Sequence, residues 1–279
     1  MGECRRNYKR RTDGDEMTPY YDDGKGIVIY NCDCRDILPQ LEKVDLVLTD
    51  PPYGISYSSQ HIGVSTMAEW MDSEICGDSD VTLRDHVLSR YSEWACFGSY
   101  KATIPNNIKG LLIWDKGPAS GMGDLSFPWK VSFEYIFIAG KCWSGSRDEG
   151  VIKGHTIVTR LSMGRTHPNE KPVSLLSYLI SKHSGNIILD PFMGSGTTLV
   201  AAQSLGRKAI GIEIESKYCD IAIRRLQQQS INFTQPVNGY KITVQEALYG
   251  TPTNGRNEEK DFAGQYGKED DDGSAAQTK

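Results

Sequence analysis

Strand-sized apolar runs recur along this chain, separated by helical or turn-rich stretches. GIVIYN (26–31), VDLVLTD (44–50), WACFGS (94–99), GLLIWDK (110–116), EYIFIAGK (134–141), NIILD (186–190) and KAIGIE (208–213) each read as a strand. Several are apolar nearly throughout, the pattern of strands covered on both faces. Helical spacing falls at 81–93, 172–184, 197–205 and 215–229. In the second of these, Pro172 suits the first helical position, and Val173, Leu176, Leu179 and Ile180 share one face. The alternation predicts an α/β fold: a Rossmann-like, mostly parallel open sheet with helices on both faces.

The pattern fades at both ends. Residues 1–24 and about 250–279 hold few apolar groups and many charged or small ones, which predicts a mobile basic N-terminal tail and a disordered acidic C-terminal tail. One domain is expected over 25–235, followed by a C-terminal extension, 236–279. The net charge of −5 over 279 residues is concentrated late in the chain: residues 255–279 carry seven acids against four bases. The remainder is close to balanced and can carry a basic face. No apolar run reaches membrane-spanning length and none follows the charged start GECRRNYKRR, so a cytoplasmic protein without a membrane partner is expected. The seven cysteines are scattered and include no C-x-x-C pair, which predicts a reducing compartment and no metal site.

Two stretches carry chemistry. VDLVLTDPPY runs as a buried strand and then stops at Asp50, Pro51, Pro52 and Tyr53. Neither proline has an N–H for a ladder, so the strand ends by presenting a carboxylate, a rigid main-chain carbonyl and a ring together. NIILDPFMGSGTTLVAAQSLGRKAIGIEIE reads as strand, glycine turn, helix, strand. Gly194 and Gly196 permit close approach of a ligand to the backbone, and the helix opening at Thr197 aims its free N–H groups at the turn. Glu213, at the end of the next strand, is placed to accept both ribose hydroxyls of a nucleoside. Ser195 and the pair Thr197–Thr198 depart from the dinucleotide fingerprint, favouring an adenosine ligand without a pyrophosphate.

With TDPPYG (49–54), HPNEKP (167–172), LDPFMGSGTT (189–198) and GIEIESKYCDIAIRRL (211–226), the chain resembles the DNA amino-methyltransferases of the circularly permuted β group. The resemblance covers roughly 26–229 and implies a permuted class I methyltransferase fold with S-adenosylmethionine as cofactor. It implies that Asp50 and the Pro51 carbonyl accept the two N–H groups of an exocyclic amine, that Pro52 stiffens the turn, and that Tyr53 supports a base flipped out of double-stranded DNA. It further implies cofactor contacts from Asp33, Cys34, His167, Asn169, Lys171, Asp190, Phe192, Gly194, Ser195, Gly196, Thr197 and Glu213. Glu134 is read as structural, and Tyr57 as bordering the base pocket or packing its loop.

The segment 142–166 corresponds to the family's target-recognition region and is short here. From Lys141 to Lys171 bases outnumber acids by six to three, so Arg147, Lys153, Arg160 and Arg165 are the expected phosphate contacts. Asp at the head of the tetrad favours adenine N6 over cytosine N4. An RNA or protein methyltransferase, and a non-catalytic DNA-binding protein on the same fold, are the weaker alternatives. A homodimer and a separate cognate restriction endonuclease are partners that the family allows, in a phage, prophage or restriction–modification setting.

Overall fold

A computed structural model describes residues 17–54, 81–117, 126, 128–155 and 170–232, the side chains of 229–232 excepted. All of them fall within the compact unit Met1–Lys241. The elements in chain order are β1 (Tyr21–Asp22), β2 (Ile27–Asn31), α1 (Cys34–Ile37) running into a 3-10 turn (Leu38–Gln40), β3 (Leu46–Thr49), α2 (Thr82–Leu88), β4 (Trp94–Gly98), β5 (Gly110–Asp115), β6 (Phe133–Ala139), β7 (Val151–Ile152), α3 (Val173–Ser181), β8 (Ile187–Asp190), α4 (Thr197–Ser204), β9 (Lys208–Glu213) and α5 (Ser216–Asn232).

The strands form one sheet in the order β1-β2-β9-β8-β3-β4-β6-β5-β7. From β2 to β4 every pair is parallel, whereas β6 runs antiparallel to both β4 and β5. The chain leaves β8 through α4 toward β9, and leaves β3 in the opposite direction toward β4. The connections therefore diverge at the β3–β8 boundary, and such a reversal opens a crevice at the carboxyl ends of the strands.

Burial on both faces explains the uninterrupted apolar runs. Along β3, Leu46 and Leu48 pack in the cluster that includes Leu175, Leu179 and Ile180 of α3 and Leu199 of α4. Val47 faces the other way, in the cluster of Ile37, Val87, Trp94 and Leu189. Adjacent residues of a strand point to opposite faces, so both must be apolar when helices cover both sides.

All seven expected strands are present, and the differences from expectation are local. The helix expected over 81–93 ends at Leu88, and Glu93 acts instead as an anchor: its carboxylate accepts the backbone N–H groups of Lys141 and Cys142 and meets His183 Nε2 at 3.3 Å. Pro172 is the N-cap of α3 with an extended ψ of 134°, not its first helical residue. Residues 17–24, expected in the N-terminal tail, include β1, which adds an antiparallel edge to β2; Tyr20 also donates to Asp220 of α5 at 2.8 Å. With two residues each, β1 and β7 are too short to leave a periodic signal.

The carboxyl ends of β3 and β8 are joined by side chains. Thr49 Oγ1 donates to Asp190 Oδ1 at 2.8 Å, Phe192 N–H donates to the same oxygen at 3.1 Å, and Thr198 Oγ1 donates to Oδ2 at 2.6 Å. Asp190 is buried. Truncating Asp190→Ala strips three donors of their acceptor and should lower stability by about 2–3 kcal/mol in urea unfolding. Asp190→Asn keeps the Oδ1 acceptor and should cost less than about 1 kcal/mol.

Candidate active site

The tetrad and the glycine turn, separated by about 140 residues of chain, meet at the crevice. A cleft of about 490 Å³, open to solvent, is lined by Thr49, Asp50, Phe97, Glu170, Lys171, Asp190, Phe192, Met193, Gly194, Ser195 and Thr197 among others.

On one wall β3 ends at Thr49, and the chain continues from Asp50 through Pro51 and Pro52 to Tyr53 and Gly54, the last with φ of +70°. The turn folds the Tyr53 ring back so that its hydroxyl donates to Asp50 Oδ1 at 2.8 Å, with Glu134 Oε2 also within 3.3 Å. The ammonium of Lys171 lies 2.5 Å from Asp50 Oδ2 and 3.2 Å from Glu134 Oε2. Lys116 completes the group, 3.0 Å from Glu134 Oε1. Lys171 Nζ also sits 5.1 Å from the Phe97 ring centroid and 5.8 Å from that of Tyr53, close enough for cation–π attraction.

Two carboxylates thus face two lysines, with the Lys171 side chain only 7 % exposed and that of Asp50 29 % exposed on the cleft. Burial pushes the Asp50 carboxyl above its usual range; Lys171 pulls it back and Glu134 adds to the rise. Burial also raises Glu134, but the ammonium groups of Lys171 and Lys116 outweigh it and hold Glu134 below its usual range. Burial disfavours the charge on Lys171, yet Asp50 and Glu134 more than compensate and hold it protonated.

On the other wall, Gly194 adopts φ of +50° and a Cβ there would point into open space, so its backbone is accessible from the cleft. Gly196, with φ of +80°, caps α4, and a Cβ there would lie 2.5 Å from Ala222 Cβ. Both conformations are favourable only for glycine. Glu213 accepts Gly194 N–H at 3.1 Å and Glu215 N–H at 2.8 Å. Burial pushes its carboxyl up to about 7.

Asp33 and Cys34 reach the same edge because β2 pairs with β9 in the register that sets Asn31 opposite Glu213. Asp33 caps α1, accepting Arg35 N–H at 3.0 Å and pairing with the Arg35 side chain. Burial pushes the Cys34 thiol up to about 12, so it is no nucleophile at neutral pH.

Arg225, on α5, was not singled out from the sequence. Its Nη1 donates to Ser195 O at 2.9 Å, to Ser195 Oγ at 2.9 Å and to Thr197 Oγ1 at 3.1 Å, and its Nη2 lies 2.5 Å from Glu170. It therefore ties the glycine turn to the segment that carries Lys171. Glu134, read as structural, stands inside the polar cluster together with Lys116. What joins them to the site is spatial: Glu134 stands on β6 and Arg225 on α5, and only packing brings them to the cleft.

The basic segment divides. Lys153 is exposed just beyond β7, which runs parallel to β5 and so ends on the side of the sheet that carries Lys116 and Asp50. Arg147 is exposed at the opposite end, between Ser146 and Asp148, both of which meet Lys182 beyond α3. The sequence grouped the two as phosphate contacts; β7 separates them by its length and direction. Tyr57, Arg160, Arg165, His167 and Asn169 lie outside the described residues.

A family model for DNA methylases matches residues 128–224. YubD of Escherichia coli (strain K12), a candidate methylase, is 30 % identical over 191 residues, covering 66 % of this chain and 82 % of that protein. The chain belongs to the DNA methylase family. The methylase is also 28 % identical over 266 residues to the type II methyltransferase M2.DpnII of Streptococcus pneumoniae, covering 76 % of the chain and 93 % of the relative. Among solved structures, the complex of M1.HpyAVI with SAM matches with 24 % identity and a TM-score of 0.48, covering 71 % of this chain and 98 % of that one. The cytosine-N4-specific PvuII DNA methyltransferase matches with 16 % identity and a TM-score of 0.49, covering 81 % and 93 %. The methylase is a DNA amino-methyltransferase, a family whose members act on adenine N6 or cytosine N4.

Replacing Arg225 by Met removes the cation shared by Glu170 and the Ser195 carbonyl. The variant should be less stable by about 1–3 kcal/mol, read as a lowered urea midpoint at unchanged slope. A slope change would mean that the turn is disordered more widely than this contact.

Proposed function

We propose that the methylase transfers a methyl group from S-adenosylmethionine to the N6 amine of adenine in double-stranded DNA, acting on a base flipped out of the stack. The observation that carries this reading is that Asp50, bonded to the Tyr53 hydroxyl, lines the same cleft as the glycine turn.

The chemical problem is that the exocyclic amine is a poor nucleophile, because its lone pair is delocalised into the ring. An Asp50 carboxylate accepting one N–H and the Pro51 carbonyl accepting the other draw the nitrogen toward tetrahedral geometry and free that pair. Tyr53, held by its bond to Asp50, offers its ring as a resting face for the base. Fixed acceptors of this kind work by positioning and electrostatic preorganisation, with no strong base required.

The donor set fits an adenosine-bearing cofactor. Glu213 keeps acceptor capacity for ribose hydroxyls, Asp33 and Cys34 border the adenine end, and the turn from Asp190 to Thr197 offers backbone and hydroxyl groups to the amino-acid end. S-adenosylmethionine bound there supplies an electrophilic methyl on sulfur. The stretch 142–166, with Lys153 exposed on the site side, is the proposed phosphate-binding segment.

Incubation with unmethylated plasmid and labelled S-adenosylmethionine, followed by digestion to nucleosides and mass spectrometry, should yield N6-methyladenine. N4-methylcytosine would keep the mechanism and overturn the choice of base; no label in DNA would overturn the function. Asp50→Ala should lose about 100- to 1,000-fold in rate, the usual effect of deleting one preorganised polar group.

Ribose hydroxyls donate to the ionised form of Glu213. Cofactor affinity should therefore be full at pH values above about 7 and fall as pH drops through that value, where Glu213 becomes protonated. Calorimetric titration with S-adenosylhomocysteine reads this directly, and Glu213→Gln should bind weakly at every pH, without the dependence.

A further inference from the structure

The ammonium of Lys171 is the structure's least expected feature. The resemblance implies that Lys171 contacts the cofactor. Its Nζ instead lies 2.5 Å from Asp50 Oδ2 and 3.2 Å from Glu134 Oε2, between the rings of Phe97 and Tyr53. Two carboxylates already occupy this ammonium, so a third would have to compete with both for it. Glu134 is held in turn by Lys116 at 3.0 Å, which leaves the four charged groups balanced.

We propose that Lys171 is a positioning residue for Asp50: bridged to Glu134, it keeps the Asp50 carboxylate ionised at neutral pH and fixes which of its lone pairs face the cleft. This rests on the reading of Asp50 as the acceptor of the target amine. Only the ionised carboxylate presents acceptors alone; a protonated one turns an O–H donor toward an amine that also donates. Oδ1 is engaged by the Tyr53 hydroxyl and Oδ2 by Lys171. Each oxygen has a second lone pair, and the two existing bonds decide where those pairs point.

The groups around Asp50 come from every neighbouring element. Tyr53 follows β3, Lys171 precedes α3, Glu134 belongs to β6 and Lys116 follows β5. Cys96 on β4 is pushed well above its usual value by burial, so it is a neutral thiol near neutral pH. Asp190 on β8, pushed by burial up to about 6, adds negative charge as pH rises. Lys171 is the one cation in direct contact with Asp50 among the described residues. Its removal leaves burial, Glu134 and Asp190 all favouring protonation of Asp50.

Glu134 makes the idea separable from a merely structural role, because its charge acts on Asp50 with the opposite sign. In Lys171→Met, the acid limb of the pH profile of kcat/KM should move up by about one pH unit or more. In Glu134→Gln, which removes a like charge and keeps Lys171, the limb should move to lower pH. Lys171→Arg keeps the charge and should hold the limb near its wild-type position even where the rate falls, since the fork does not reproduce the ammonium's geometry.

Two readouts do not depend on turnover. Affinity for S-adenosylhomocysteine should stay within about threefold of wild type in Lys171→Met, a change worth less than about 1 kcal/mol. The Asp50 carboxyl, isotope-labelled and assigned by its loss in Asp50→Asn, should titrate at higher pH in Lys171→Met and at lower pH in Glu134→Gln. Loss of S-adenosylhomocysteine binding with an unmoved Asp50 titration would overturn the proposal and return Lys171 to the cofactor. Shifts of the same sign in both variants would overturn it too. If the wild-type protein methylates no DNA, the assigned function fails, while the carboxyl titration in the free protein still decides what Lys171 does to Asp50.

Discussion

The parallel pairing of β3 with β8 is the constraint on which the rest of the molecule depends. Leu46 lies opposite Ile188 and Val47 opposite Leu189, and beyond the last pair the two strands end side by side. Their exits then diverge, one toward β4 and the other through α4 to β9. A strand end with two prolines and a strand end with a glycine turn are unremarkable separately. Set next to each other at a point where the sheet reverses its winding, they form the two walls of one cleft. The bond from Thr49 to Asp190 closes the seam, at the last residue of each strand.

The price of that arrangement is charge withdrawn from solvent, almost fully for Lys171 and partly for its partners. Asp50, Glu134 and Lys171 stand with Lys116 around the rings of Tyr53 and Phe97. Such groups rarely add net stability, because desolvation offsets most of their mutual attraction. A sequence selected for stability alone would fill this space with apolar side chains. On the proposed reading of Asp50 the cluster is understandable as chemistry: a carboxylate that accepts the target amine needs its counter-ion built in. Asp190 and Glu213 are the contrasting cases, carboxylates held by hydroxyl and backbone donors with no cation in direct contact among the described residues, and burial raises them to about 6 and about 7.

Most of the fold was legible because the physical rules behind it are local. Runs such as WACFG and IILD are apolar without alternation because helices cover both faces of the sheet, and that pattern survives in any reading of the chain. Gly194 and Gly196 were legible for a similar reason: their positive φ angles admit little else. The misreadings have equally local causes. The helix ending at Leu88 stops short because Glu93 is needed at the foot of β4, and β7 is too short to show a period.

The sequence by itself determined the α/β class, the strand and helix segments, and the two motifs that name the chemistry, since backbone geometry and burial act on adjacent residues. It could not determine which charges share a site. Glu134 reads as structural, Arg225 is not singled out, and Arg147 and Lys153 read as joint phosphate contacts. Each of those assignments depends on distances between elements far apart in the chain. Electrostatic roles follow from separations of a few ångströms and from local dielectric, and only the packing of β3, β6, α5 and the segment before α3 sets either.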